Sequence, residues 1–219
     1  MIFLNFKTYE SGTGKNAVLM ANKVQDVSKE TGVKIIPVVQ PSDIKEIVST
    51  TSIEIWAQKI DPVTYGAHTG SILAEGVFED GAVGTVLNHS ENRFVDFETL
   101  SKAHLRAKEV GLKTLIFTKD IEEMEKALEI KPDFVSYEPP ALIGSKDVSV
   151  ATSQPEIISK AVLISKNSGV PLIVGAGIHS QKDISISLSL GATGVAVASD
   201  VMLSSDPKRE LLELVEGFK

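Results

Sequence analysis

Short apolar runs rich in valine and isoleucine recur along the chain, separated by amphipathic stretches. The runs are Ile2–Phe6, Lys34–Val39, Ile53–Gln58, Val83–Leu87, Thr114–Phe117, Phe134–Tyr137, Leu172–Val174 and Gly194–Ala198. Most are almost continuously apolar rather than alternating. That pattern predicts parallel strands covered on both faces. Between them, Ala17–Lys29 reads as a helix with Val18, Val24 and Val27 among its apolar positions, ending near Gly32. Ser42-Asp43 is placed to cap a short helix through Val48. Phe97–Val110 carries Leu100, Ala103, Ala107 and Val110 and stops at Gly111; His104 within it is expected to face solvent. Ile121–Leu128 is short. Gln154-Pro155-Glu156 opens a helix with proline early, running to Asn167 and stopping at Gly169, and Gln181–Leu190 stops at Gly191. Pro207–Glu216 closes the chain.

Eight strands alternating with helices define an α/β protein. A doubly wound open sheet is one solution. The first strand, however, is not followed by a Gly-x-Gly-x-x-Gly turn, and eight βα units favour a closed (β/α)₈ barrel. At 219 residues the chain is short for that fold. The second, third and fifth helices account for the saving, so the expectation is a compact barrel with shortened helices, one domain spanning residues 1–219.

A net charge of −7 argues against a nucleic-acid footprint. It leaves room for a small anion, because local amides and one lysine outweigh a diffuse surface charge. The absence of cysteine excludes disulfides, thiolate catalysis and zinc–thiolate centres. The apolar opening Met1–Leu4 is interrupted at once by Asn5 and Lys7. It is too short for a signal peptide or a membrane span, which points to the cytoplasm.

In such a barrel, chemistry gathers at the C-terminal ends of the strands. Those ends carry Asn5-Phe6-Lys7, Asn88-His89-Ser90-Glu91, Glu138, Gly175-Ala176-Gly177 and Ala198-Ser199-Asp200. Glu138 is the most telling. A carboxylate closing a buried strand is expensive to keep charged, and Pro139-Pro140 stiffen the chain behind it. A base at the root of a flap suits proton abstraction from carbon with water excluded. Lys7 and Asn5 share one side of a strand, although a lysine that has merely cleared the strand end is the alternative. His89 is either a neutral imidazole, kept so by a helical turn starting at Ser90, or a hydrogen-bonded turn histidine. The glycine-rich turn and Ala198-Ser199-Asp200 are placed either to bind phosphate or simply to turn the chain.

These motifs, with Gly66-Ala67-His68-Thr69-Gly70 and Gly144 six residues past Glu138, resemble the triosephosphate isomerase family along the whole chain, in its short archaeal form. The resemblance implies a TIM barrel that interconverts dihydroxyacetone phosphate and D-glyceraldehyde 3-phosphate in glycolysis and gluconeogenesis. It implies Glu138 as the base, His89 as the electrophile, and Lys7 and Asn5 on the substrate. It places Ile143 and Gly144 in a closing lid, taken as Pro139–Ala151, and Gly177, Ala198 and Ser199 at the phosphate, with Glu91 supporting Lys7. No metal or organic cofactor is implied. The loop Asp61–Ala74, through Thr69, would enter a neighbouring subunit of a homodimer or homotetramer. Asn88 stands where glycine is usual before the histidine, Asn92 where arginine is usual, and Lys146 where a second glycine is common. The turn after the seventh strand lacks the usual Tyr-Gly-Gly-Ser. The competing readings are a sugar-phosphate epimerase or aldolase, and a barrel that only binds a metabolite. The epimerase would want His and Asp ligands at several strand ends, and a Schiff-base aldolase a lysine where Glu138 stands.

Overall fold

Eight parallel strands close on themselves in the computed structural model, which describes residues 1–139, 150–153 and 155–219. The strands are β1 (Ile2–Asn5), β2 (Ile35–Val39), β3 (Trp56–Ala57), β4 (Gly84–Leu87), β5 (Lys113–Thr118), β6 (Phe134–Tyr137), β7 (Leu172–Val174) and β8 (Gly194–Val197). They pair in sequence order, and β8 closes on β1 through Ile2 opposite Val195. Outside lie α1 (Lys15–Thr31), α2 (Ile44–Thr50), α3 (Ala74–Glu79), α4 (Phe97–Val110), α5 (Ile121–Glu129), α6 (Val150–Ser153), α7 (Pro155–Ser168), α8 (Gln181–Ser189), α9 (Ser199–Met202) and α10 (Pro207–Val215). The open-sheet alternative is thereby excluded. The second, third and fifth helices are short, as the pattern predicts.

Strand alternation sorts the apolar residues into two sets. Ile2, Leu4, Ile35, Val39, Leu172 and Val195 point outward and pack against the helices. Phe3, Ile36, Val38, Trp56, Val86, Leu115, Phe117 and Ile173 point inward and fill the barrel. At the N-terminal end, Phe3, Trp56 and Phe134 meet edge to face with centroids 5.0 to 6.0 Å apart. Gly84 makes this possible, since a Cβ there would lie 2.6 Å from the Trp56 ring. The same alternation carried to the other end leaves polar or small residues inside. Asn5 follows Phe3, Gln58 follows Trp56, Ser136 and Glu138 follow Phe134, and Gly175 follows Ile173.

Three local expectations are corrected. His104 does not face solvent: it is buried with Nδ1 3.1 Å from Thr114 Oγ1 on β5. Leu100, Ala103, His104 and Ala107 form one i, i+3, i+4, i+7 face of α4, all of it against the barrel. No helix starts at Ser90. A single turn closed by Asn92 N–H to His89 O at 2.8 Å stands there, and α4 begins only at Phe97, capped by Asp96. Asp43 precedes α2 without bonding its amides; its carboxylate accepts from Gly14 N–H at 3.2 Å.

Candidate active site

Polar side chains from five strand ends converge at the C-terminal mouth. Asn5 Oδ1 accepts the Lys7 amide at 3.0 Å, and Gln58 Nε2 donates to Lys7 O at 2.8 Å. These bonds hold Lys7 in a left-handed conformation, φ 47°, which costs a non-glycine residue about 1–2 kcal/mol. The bend sends the ammonium back across the mouth, where Nζ meets Glu91 Oε1 at 2.7 Å. Gln58 was missed in the sequence reading. Its signal was an amide at the end of an apolar strand, one step inside from Trp56.

Asn88 is the second backbone device. It has φ 60°, a conformation that asparagine tolerates far better than most residues, which explains why it stands where glycine is usual. Its buried amide donates to Phe117 O at 3.1 Å and accepts from Phe94 N–H at 3.2 Å. The chain is thereby turned so that the next residue, His89, enters the mouth. The imidazole packs edge to face on Phe117, centroids 5.0 Å apart.

The protonation of His89 can be read from its neighbours. Glu91 N–H donates to Nδ1 at 3.2 Å, so in the neutral ring the proton sits on Nε2. Nε2 lies 3.5 Å from Asn5 Nδ2, itself a donor because Asn5 Oδ1 is already engaged by Lys7. That contact brings two donors side by side, as required to hold a developing oxyanion. Burial pulls the imidazole down to about 4, with the Glu91 carboxylate opposing and the Lys7 ammonium reinforcing. The ring is neutral because it is desolvated, and not because a helix begins beside it.

Glu138 emerges from β6, its amide bonded to Thr118 O on β5 at 2.9 Å. Its Oε2 lies 3.9 Å from His89 Nε2 and has no hydrogen-bond partner among the described residues. Burial pushes the carboxyl up to about 7; the Ser90 hydroxyl and the Lys7 ammonium pull it down less strongly. Gly175, opposite and just past the end of β7, leaves the space this carboxylate occupies: a Cβ there would sit 3.1 Å from Oε1. The sequence Gly175-Ala176-Gly177 points either to phosphate binding or to a plain turn of the chain, and neither includes this use of its first glycine.

Asn5, Lys7, His89, Glu91 and Glu138 line one cavity of about 860 Å³ together with Gly177, Ala198 and Ser199. Ala176 and Gly177 both have positive φ, 69° and 68°, so the β7 turn is left-handed over two residues. Every candidate within the described residues is thus brought to a single mouth. Ile143 and Gly144, and with them most of the expected lid, lie outside the described residues.

Fold and mouth together define a (β/α)₈-barrel enzyme. A family model described as triosephosphate isomerase matches residues 1–217. The chain belongs to the triosephosphate isomerase family. It is 44% identical over 217 residues to the triosephosphate isomerase of Methanobacterium bryantii, covering 98% of this chain and 95% of that one. The enzyme of Methanothermus fervidus is 41% identical over 217 residues, covering 98% and 97%. A crystal structure of triosephosphate isomerase from Bartonella henselae superposes with TM-score 0.74 over 99% of this chain and 98% of that one, at 17% identity.

Proposed function

We propose that Glu138 is the base and His89 the electrophile in the family's reaction, the interconversion of dihydroxyacetone phosphate and D-glyceraldehyde 3-phosphate. One observation supports this most: a buried carboxylate oxygen without a partner among the described residues, 3.9 Å from the proton-bearing nitrogen of a neutral imidazole. A proton next to a carbonyl is weakly acidic, so the oxyanion must be stabilised as it forms. Glu138 takes the proton from C1 or C2 and returns it to the other carbon. His89 donates from Nε2 to the carbonyl oxygen, beside the Asn5 amide, and passes a proton between the two oxygens. Lys7 supplies positive charge to the enediolate and the phosphate, and Glu91 steadies its ammonium. The amides around Gly177, Ala198 and Ser199 hold the phosphate, whose binding energy is spent on the reacting end. This is the isomerase step of glycolysis and gluconeogenesis.

A coupled assay with glyceraldehyde 3-phosphate, with and without chelator, tests the reaction. Lys7→Ala is expected to weaken both rate and affinity; unchanged affinity for a phosphate inhibitor would refute its role.

The same reading makes the protein a homodimer or homotetramer located in the cytoplasm. The loop 61–74 is pinned at its base by Asp61 N–H to Ile72 O at 2.9 Å, and by Arg106 Nε–H to Val63 O at 3.3 Å. Its far part is exposed, with Tyr65 at 68% and Thr69 also open to solvent. A braced, protruding loop of this kind suits insertion beside a neighbour's mouth. Sedimentation as a monomer at micromolar concentration would contradict it. Among the described residues no helix is long and apolar enough to cross a membrane.

A further inference from the structure

One side-chain pair joins the turns after β7 and β8 across the far end of the cavity. His179 Nδ1 lies 2.7 Å from Asp200 Oδ2. His179 belongs to the turn between β7 and α8, and Asp200 to the first turn of α9; both line the cavity. The His179 backbone is anchored from behind. His179 N–H donates to Asp183 Oδ2 at 3.2 Å, the carboxylate that also closes the capping box of α8 with Ser180. The other ring nitrogen, Nε2, is buried and has no partner among the described residues.

Asp200 poses a physical difficulty. It sets a carboxylate in the wall beside Ala198 and Ser199, where the proposed function puts a phosphate dianion. Glu210 lines the same wall, and its carboxyl is held above the usual range by burial first, then by Glu213 and Asp200. Two acids here oppose an incoming anion, and the described geometry gives Asp200 one hydrogen-bond partner to constrain it, the His179 imidazole.

We propose that His179 is a positioning residue for the phosphate end of the site. Its Nδ1–H ties down the Asp200 carboxylate and couples the 175–180 turn to the 198–200 turn, so that an anion can be accommodated beside an acidic side chain. The inference rests on the cavity being a triose-phosphate site. It names a residue pair outside the reacting centre, and its effect should fall on phosphate recognition rather than on proton transfer.

Three variants test it: His179→Ala, His179→Asn and His179→Ala combined with Asp200→Ala. The readouts are KM and kcat with glyceraldehyde 3-phosphate, calorimetric affinity for inorganic phosphate, and kcat/KM with unphosphorylated glyceraldehyde. His179→Ala is expected to raise KM and weaken phosphate binding about tenfold, a change of about 1.4 kcal/mol, with kcat within about threefold. The glyceraldehyde value should not move. Removing Asp200 in the same chain should restore phosphate affinity to within about threefold of wild type, because the freed carboxylate is what repels the anion. His179→Asn keeps a donor near the place of Nδ1 and should stay close to wild type even if the alanine variant folds poorly. Unchanged phosphate affinity in His179→Ala overturns the proposal. So does a double variant as impaired as the single one, which would mark the pair as scaffold only. A wild-type protein that binds phosphate but does not isomerise the triose phosphate would sink the proposed function, and the ratios of phosphate affinity would still decide the pair.

Discussion

The two ends of the barrel interior are built by the same strands and hold opposite chemistry. At the N-terminal end Phe3, Trp56 and Phe134 interlock. At the C-terminal end the next inward positions are Asn5, Gln58 and, past Ser136, Glu138. Each end needs a glycine to make room, Gly84 for an indole and Gly175 for a carboxylate. The bottom is filled by aromatic packing, with the Trp56 indole nitrogen buried and without a hydrogen-bond partner among the described residues. The mouth leaves one carboxylate oxygen of a desolvated acid without a partner among the described residues, and holds Lys7, Asn88 and Ala176 in left-handed backbone. Among the described residues, three of the four non-glycine residues with positive φ lie at the mouth, the fourth being Lys131 at the other end, so strained backbone gathers where reactive groups must be kept available.

The contrast can be broken hardest at Glu138. Glu138→Gln should lower kcat by about four orders of magnitude, about 5.5 kcal/mol, while leaving affinity for a phosphate inhibitor within a few-fold. Steady-state kinetics and inhibitor titration measure both, and near-native turnover would remove Glu138 from the role of base. Next in size, Phe3→Ala at the other end should cost about 3–5 kcal/mol of stability by chemical denaturation. Its kcat per folded molecule should stay within about threefold, and a large loss of kcat there would erase the division between the two ends.

A third test uses the sign of the Glu138 shift. The carboxyl moves from an ordinary 4.5 to about 7 on folding. Between those values the folded chain holds a proton that the unfolded chain has released. Stability therefore falls as pH rises through this window, by about 3 kcal/mol once pH is above 7. Glu138→Gln should accordingly be more stable than wild type at pH 8, and the difference should shrink by about that amount at pH 4.5. A pH-independent difference would show that the carboxyl is not desolvated. His89 acts in the opposite sense: its imidazole falls from 6.5 to about 4, so its contribution is lost as pH drops through that range. The same carboxyl predicts that kcat/KM declines tenfold per unit below about pH 7, as the base takes up its proton. The smallest effect is expected for Gly175→Ala, whose Cβ would displace the Glu138 carboxylate by a few tenths of an ångström. A loss of about tenfold in kcat with little change in KM is expected; a change in KM alone would return Gly175 to the phosphate turn.

Much of this is legible in the sequence. The eight apolar runs and the missing dinucleotide turn pointed to the barrel, and the polar strand ends pointed to Asn5, Lys7, His89 and Glu138. His104 is legible too, since its helical position beside Leu100, Ala103 and Ala107 puts it on the inner face of α4 despite its polar side chain. Gln58 carries a local signal, a polar amide closing an apolar strand, whereas Phe117 and the His179–Asp200 pair are marked only by neighbours distant in the chain.

The chain itself determined which residues alternate inward and where apolar character gives way to polar, because those follow from a two-residue period that any strand obeys. Only the closed barrel decided which polar ends meet. Closure sets Gly175 against Glu138, turns the Lys7 ammonium toward Glu91, and strips water from His89 so that it stays uncharged. Desolvation is a property of the assembled surroundings rather than of any residue, so the poise of the acid and the imidazole belongs to the tertiary structure.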